Sequence, residues 1–240
     1  MSYYDKNVLM KEGLLKAEDD FALATDNKYL GLLKPEDKKV LSTLAKEVKV
    51  RGDQLIKKIY LEYPSYTVRS KISSRLLGSE ERNQVSTFWN FDESPCLFTL
   101  GYEGLSIDAF LNILITNNLH ALIDVRNNPY SMKYGFSYPG IQNNMERVGI
   151  TYYHIPELGI PSELRKGLGT KESYTNLFTY YEEKILPCHL DQIERIKLLV
   201  QKHSRVALTC FEGDYQFCHR HKITDLLEKQ GYGVKIFHLG

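Results

Sequence analysis

The chain has 240 residues, 42% of them hydrophobic and 25% charged, enough to bury a sizeable core in one large domain or in one medium domain with an appendage. Lys and Arg number 31 against 30 Asp and Glu, so no global field draws the chain to nucleic acid or to an anionic membrane, which leaves only a local basic face. The start lacks the basic flank and apolar run of a signal peptide, no apolar run approaches the ~20 residues of a membrane span, and the four cysteines point to reduced thiols. A soluble, cytoplasmic protein with no membrane partner is expected.

In chain order, Val8, Leu9, Leu14 and Leu15 suggest a first short helix, followed by a small extended or turn region around Asp26 and Asn27. Pro35 suits the first position of the next helix, Glu36 and Asp37 complement its dipole, and Val40, Leu41, Leu44 and Val48 share one face. Another helix is predicted from Gly52 and Asp53, with Leu55, Ile56, Ile59 and Tyr60 inward and Pro64 as its stop. Two or three short helices with a tight turn resemble a helix-turn-helix or winged-helix unit, and a plain helical docking domain fits the same pattern. Ser, Gly, Glu, Asn and Asp over residues 73–95 predict a boundary segment pinned by Trp89 and Phe91. The expected division is therefore a helical domain with linker over 1–90 and a second domain over 96–240.

From residue 96 onward, short apolar runs alternate with helical patterns. Strands are predicted at 96–100, 120–125, 150–155, 206–210 and 234–238. Between them, Ser106 caps a helix with Ile107, Phe110, Leu111 and Leu114 inward, and a second helix carries Gln142, Met145 and Val148. Tyr174, Leu177, Phe178, Tyr181 and Ile185 mark a third helix, broken by Pro187 and resumed by Leu190, Ile193, Ile196 and Val200. Ile223, Leu226 and Leu227 face inward from a last helix. Strands spaced this way require parallel crossovers, hence an α/β fold: an open, mainly parallel, Rossmann-like sheet flanked by helices, plus the small N-terminal helical domain.

Ligands of such sheets bind beyond the carboxyl ends of the strands. Tyr102 and Glu103, Asp124 and Arg126, His154, and Cys210 and Glu212 all fall at predicted strand ends. Cys218, His219 and Arg220 follow at the start of a helix, where the dipole favours anions and lowers a thiol's pKa.

Four spaced segments resemble one family: Thr-Leu-Gly-Tyr-Glu-Gly at 99–104, Asp-Val-Arg-Asn-Asn-Pro-Tyr-Ser-Met-Lys at 124–133, Tyr-His-Ile-Pro-Glu-Leu-Gly at 153–159, and Cys210-Phe-Glu with Cys218-His-Arg220. In this order they resemble the family known as domain of unknown function 488, over roughly residues 97–239. Residues 62–70 look like the helical extension of some members. The resemblance implies a cytosolic α/β domain of bacteria or archaea and carries no activity with it. Met132 stands where members often have a basic residue, and Tyr102 where many have histidine.

The candidate catalytic groups are Glu103, Asp124, Cys210, Glu212, Cys218 and His219. Converging carboxylates supply a general base or hold a hard cation, whereas Asp124 can equally pair with Arg126 or Arg220. Arg126 and Arg220 are forks for phosphate or carboxylate, or else internal ion partners. Ser131, Lys133 and Tyr134, on a loop rich in Asn, Pro and Gly, would contact a ligand together with Tyr102 and His154. A phosphatase-type Cys-x5-Arg loop would need arginine where Gln216 stands, which argues against that chemistry. Metal ligation by Cys210, Cys218, His219 and His221 is disfavoured by spacing, and by the ~100° between consecutive residues on a helix. No metal is expected, and the residues specify no cofactor. The functional expectation is an enzyme acting on an anionic or nucleotide-like substrate at the sheet edge. Its alternative is a ligand-sensing protein whose helical head binds nucleic acid or a partner, with Lys57, Lys58, Arg69, Lys71 and Arg75 as phosphate contacts.

Overall fold

The computed structural model describes residues 15–16, 22–23, 31, 33–47, 52–88 and 92–239. The chain forms two compact units, residues 1–55 and 56–240. In the first, β1 (Leu15–Lys16) and β2 (Ala22–Leu23) pair antiparallel. Helix α1 (Pro35–Glu47) follows, with Pro35 at its start and Glu36 and Asp37 in its first turn. Val40 and Leu41, on the apolar face read from the sequence, are exposed. Of the helix expected over Val8, Leu9, Leu14 and Leu15, Leu15 lies in β1 and the rest, like the anchoring residues Trp89 and Phe91, lies outside the described residues.

Helix α2 (Gly52–Glu62) ends where Pro64 opens a 3-10 turn, Pro64–Thr67. The segment 73–95, read from composition as a boundary, contains α3 (Ser73–Leu76) and α4 (Ser79–Ser86). Leu77 and Val85 are buried there with Tyr60, and Ile56, Leu61 and Leu76 pack against them, so a stretch that is polar on average still joins a small core. Arg69, between the 3-10 turn and α3, donates to the carbonyls of Leu119 and Val148 and fastens this region to the second half of the chain.

That half is built on one parallel five-stranded sheet. Its strands are β3 (Cys96–Gly101), β4 (Ala121–Asp124), β5 (Thr151–His154), β6 (Arg205–Cys210) and β7 (Lys235–Leu239), in the order β5-β4-β6-β3-β7. All residues of β3, β4 and β6 are buried, as inner strands covered on both faces must be, while the outer strands β5 and β7 are partly exposed. Side chains alternate between two cores: Leu97, Ile123 and Leu208 enter one, and Phe98, Leu122 and Ala207 enter the other.

The second core is closed by α5 (Ile107–Thr116) and α6 (Gly140–Arg147) through Phe110, Leu114, Ile141 and Met145. Ser106 caps α5 as predicted, its hydroxyl accepting from Ala109 N at 3.1 Å. The first core is closed by α7 (Lys171–Tyr180), α8 (Leu190–His203) and α9 (Arg220–Lys229). The interruption expected at Pro187 is present. A π turn, Tyr181–Ile185, and a 3-10 turn, Leu186–His189, stand between α7 and α8.

Candidate functional site

Parallel pairing aligns the strand ends. Gly101 lies opposite Cys210, and Asp124 opposite both Thr209 and His154, so residues 101–103, 124–126, 154 and 210–212 share one edge. Gly101 is required there. A Cβ on it would sit 1.7 Å from the Glu212 carbonyl oxygen and 2.8 Å from an Arg220 guanidinium nitrogen. Only a residue without a side chain lets the loop after β6 fold over the end of β3. Gly159 plays the same part at Asn127, whose backbone nitrogen would lie 2.0 Å from an added Cβ.

The polar groups at this edge form two clusters. In the first, Asp124 and Arg126 are a buried ion pair, with Arg126 Nε donating to both carboxylate oxygens at 2.9 and 3.0 Å. Arg126 Nη1 donates to Tyr102 Oη at 2.8 Å and Nη2 to the Phe136 carbonyl at 2.9 Å. Tyr152 Oη donates to Asp124 Oδ2 at 2.8 Å, and the rings of Tyr102 and Phe136 stack at 4.3 Å. Burial, and then the Asp124 charge, push the Tyr152 phenol well above its ordinary pKa, which keeps it a donor.

The second cluster comprises Cys210, Glu212, Cys218 and His219, with Arg165. Cys210 Sγ lies 3.2 Å from Glu212 Oε2 and 3.8 Å from His219 Nδ1, and Cys218 Sγ lies 3.9 Å from the same nitrogen. His219 Nε2 is 3.1 Å from the Val125 carbonyl, which can only accept. The Nε2 proton is thereby fixed, and Nδ1, an acceptor when the ring is neutral and a donor when it is charged, faces both sulfurs. Residues consecutive on a helix would diverge, but Cys218 is extended (φ −127°, ψ 137°) and α9 begins only at Arg220. That extended residue turns Cys218 and His219 toward the same point.

Mutual proximity divides the titration of the thiols. The hydrogen bond with Cys218, working against burial and aided by His219, holds Cys210 well below the usual thiol range. Burial and the Cys210 sulfur push Cys218 well above it, the reverse of the helix-dipole expectation for that residue. Burial and the same sulfur raise Glu212, against the pull of Arg165. Burial lowers His219, but Cys210 beside it outweighs this and the imidazole ends above its ordinary value.

Arg220 belongs to neither cluster as a ligand fork. It is fully buried, and its Nη1 and Nη2 donate to the carbonyls of Glu212 and Gly213 at 2.5 and 2.8 Å, bracing the loop after β6. Glu103 accepts from Gly213 N at 3.0 Å on the same loop. His154 Nε2 bonds the Arg126 carbonyl at 2.8 Å, and Lys133 Nζ donates to the Tyr102 carbonyl at 3.0 Å. Ser131 accepts from Lys133 N at 3.1 Å, and Tyr134 is exposed. Lys57 and Lys58 pair with Glu81 and Glu62 on their own helical segment.

Two neighbouring clefts at this edge have lining residues in common. One of about 300 Å³ is lined by Tyr102, Arg126, Asn127, Asn128, Ser131 and Arg165, among others, and one of about 400 Å³ by Glu103, Glu212, Tyr174 and Phe217. Arg165 and Phe211 line both. Arg165, in the loop after β5, forms an ion pair with Glu212. Asp124, Cys210, Cys218 and Arg220 line neither cleft, although Glu212 joins the second cleft to the thiols beneath. Sequence reasoning missed Arg165; its only signal was a Pro- and Gly-containing loop leaving a strand at the ligand-binding edge.

Together these features define an α/β protein with a parallel sheet and a polar site at its carboxyl edge. The chain belongs to the family described as Domain of unknown function DUF488, whose model matches residues 106–227. That match takes in β4, β5 and β6, Arg165 and the whole thiol cluster. No curated protein matches the chain. Among the described residues, no helix is long and apolar enough to cross a membrane.

Proposed function

We propose that this protein is an enzyme acting on an anionic, nucleotide-like substrate at the carboxyl edge of its sheet. The observation that carries this reading is the placement of Arg165, the guanidinium common to both clefts, beside the Glu212 carboxylate. Arg126 and Arg220 are committed to internal acceptors, which leaves Arg165 to receive a phosphate or carboxylate by exchanging Glu212 for it. Asn127, Asn128 and Ser131 offer neutral donors and acceptors along the same wall. The half-exposed Phe211 and the exposed Tyr130 supply faces on which a base can stack. Glu212, released from Arg165, is the carboxylate in position to exchange a proton with the bound substrate.

A melting panel of inorganic phosphate, nucleoside monophosphates and nucleoside diphosphates tests this reading. A ligand at about 100 times its Kd adds about 2.7 kcal/mol to the folded state. The wild type is expected to show this shift with at least one member, and Arg165→Ala to lose it while retaining its own unliganded melting point. The reading fails if no anion shifts the wild type, or if Arg165→Ala keeps the full response.

A further inference from the structure

The cluster beneath the clefts has a geometry of its own. The ligand atoms of Cys210, Cys218 and His219 lie within 4.8 Å of one another, and all three residues are buried. Tetrahedral zinc, with Zn–S of ~2.3 Å and Zn–N of ~2.0 Å, sets an S···N edge of about 3.6 Å. The two S···N separations are 3.8 and 3.9 Å, so a cation fits with shifts of a few tenths of an ångström. Glu212 Oε2 lies 3.2 Å from Cys210 Sγ, beside the three.

The surroundings are those of a ligating imidazole. His219 donates its far nitrogen's proton to the Val125 carbonyl, the outer contact that fixes ring orientation and tautomer in histidines that bind metals. The Tyr181 ring meets the imidazole edge-on at 5.5 Å, and its hydroxyl is tied to the Leu158 carbonyl at 2.6 Å. The hydrogen-bond partners of Nδ1 are the two sulfurs, both at long range, 3.8 and 3.9 Å.

We infer that Cys210, Cys218 and His219 form a binding site for one divalent zinc ion, with its fourth position turned toward Glu212 and the cleft. Two sulfurs and an imidazole select a borderline-soft cation over Mg²⁺ or Mn²⁺. Binding forms two Zn–S bonds and one Zn–N bond; the thiol protons leave to solvent, with no change in oxidation state. A three-residue set with a free fourth position is the arrangement of reactive rather than purely structural zinc. This site stands apart from the anion-binding reading, because zinc uptake is measured with no substrate present.

The test uses the full chain, reduced, stripped with a chelator and returned to Zn²⁺ alone. Native mass spectrometry is expected to show one zinc per chain, and Co²⁺ in its place a tetrahedral thiolate spectrum. Zinc should protect Cys210 and Cys218 of the wild type from alkylation while the exposed Cys188 still reacts, a readout that needs no variant. Cys218→Ser and His219→Ala should each weaken zinc binding at least tenfold, whereas Cys188→Ser leaves it unchanged. The inference is overturned if the reduced wild type takes up no zinc. It is also overturned if alkylation of Cys210 and Cys218 is indifferent to zinc, or if oxidation joins those two sulfurs while zinc never binds.

Discussion

The Asp124–Arg126 network and the Cys210–Cys218–His219 cluster sit at the same edge of the same sheet and are both buried, yet they are built differently. In the first, the carboxylate and guanidinium contact each other, and Tyr152, Tyr102 and the Phe136 carbonyl take up further bonds. In the second, His219 Nδ1 faces two sulfurs at 3.8 and 3.9 Å, long for hydrogen bonds and about right for a shared cation, while Cys210 Sγ keeps one closer contact, 3.2 Å from Glu212 Oε2. Buried polar groups bonded at short range hold a fold together, whereas groups that converge through long contacts leave room between them for a shared ligand.

The contrast is most exposed to challenge through Arg126→Ala, which leaves the Asp124 charge buried and unpaired. Urea unfolding should register a loss of about 3–5 kcal/mol. Were the loss within experimental error, the first cluster would not be the structural one. Cys218→Ala, in reduced and zinc-free protein, removes a sulfur that packs as a small apolar group, and should cost only about 1 kcal/mol in the same assay. A cost equal to that of Arg126→Ala would erase the difference between the clusters.

The smallest effect concerns His238, outside both clusters, whose Nδ1 lies 2.8 Å from Thr99 Oγ1 and whose ring stacks on Tyr215 at 3.8 Å. Burial, and then Arg220, lower its pKa below the ordinary value of about 6.5. The unfolded chain therefore binds this proton more readily, so its contribution to stability is present above about pH 6.5 and is lost as pH falls toward the folded pKa. His238→Asn should flatten the dependence of the denaturation midpoint on pH in that interval by up to one proton's worth. An unchanged slope would assign the dependence to other groups.

Much of this was legible in the residues. The apolar runs at Cys96, Ala121, Thr151, Arg205 and Lys235 are strands within a residue or two of expectation, and Ser106 and Pro187 act as local chemistry requires. The polar strand ends were legible too, because parallel strands place all their carboxyl ends together. The helices at Ser73–Leu76 and Ser79–Ser86 were not, since their burial rests on Leu77 and Val85 within a polar stretch. Nor was the division of labour among arginines: Arg126, Arg165 and Arg220 look alike in sequence, and only their surroundings separate an ion partner, a cleft residue and a loop brace.

By itself, the sequence determined an α/β chain of parallel strands with reactive groups at one edge, because side-chain alternation and strand length are local properties. Tertiary structure decided that β6 inserts between β3 and β4, an order that local pattern cannot encode because a crossover helix can skip a neighbouring position. That insertion seats the loop after Cys210 against Gly101 and brings His219 under the Val125 carbonyl. An extended Cys218 then completes the convergence on Cys210, where a helical backbone would have turned the two side chains apart.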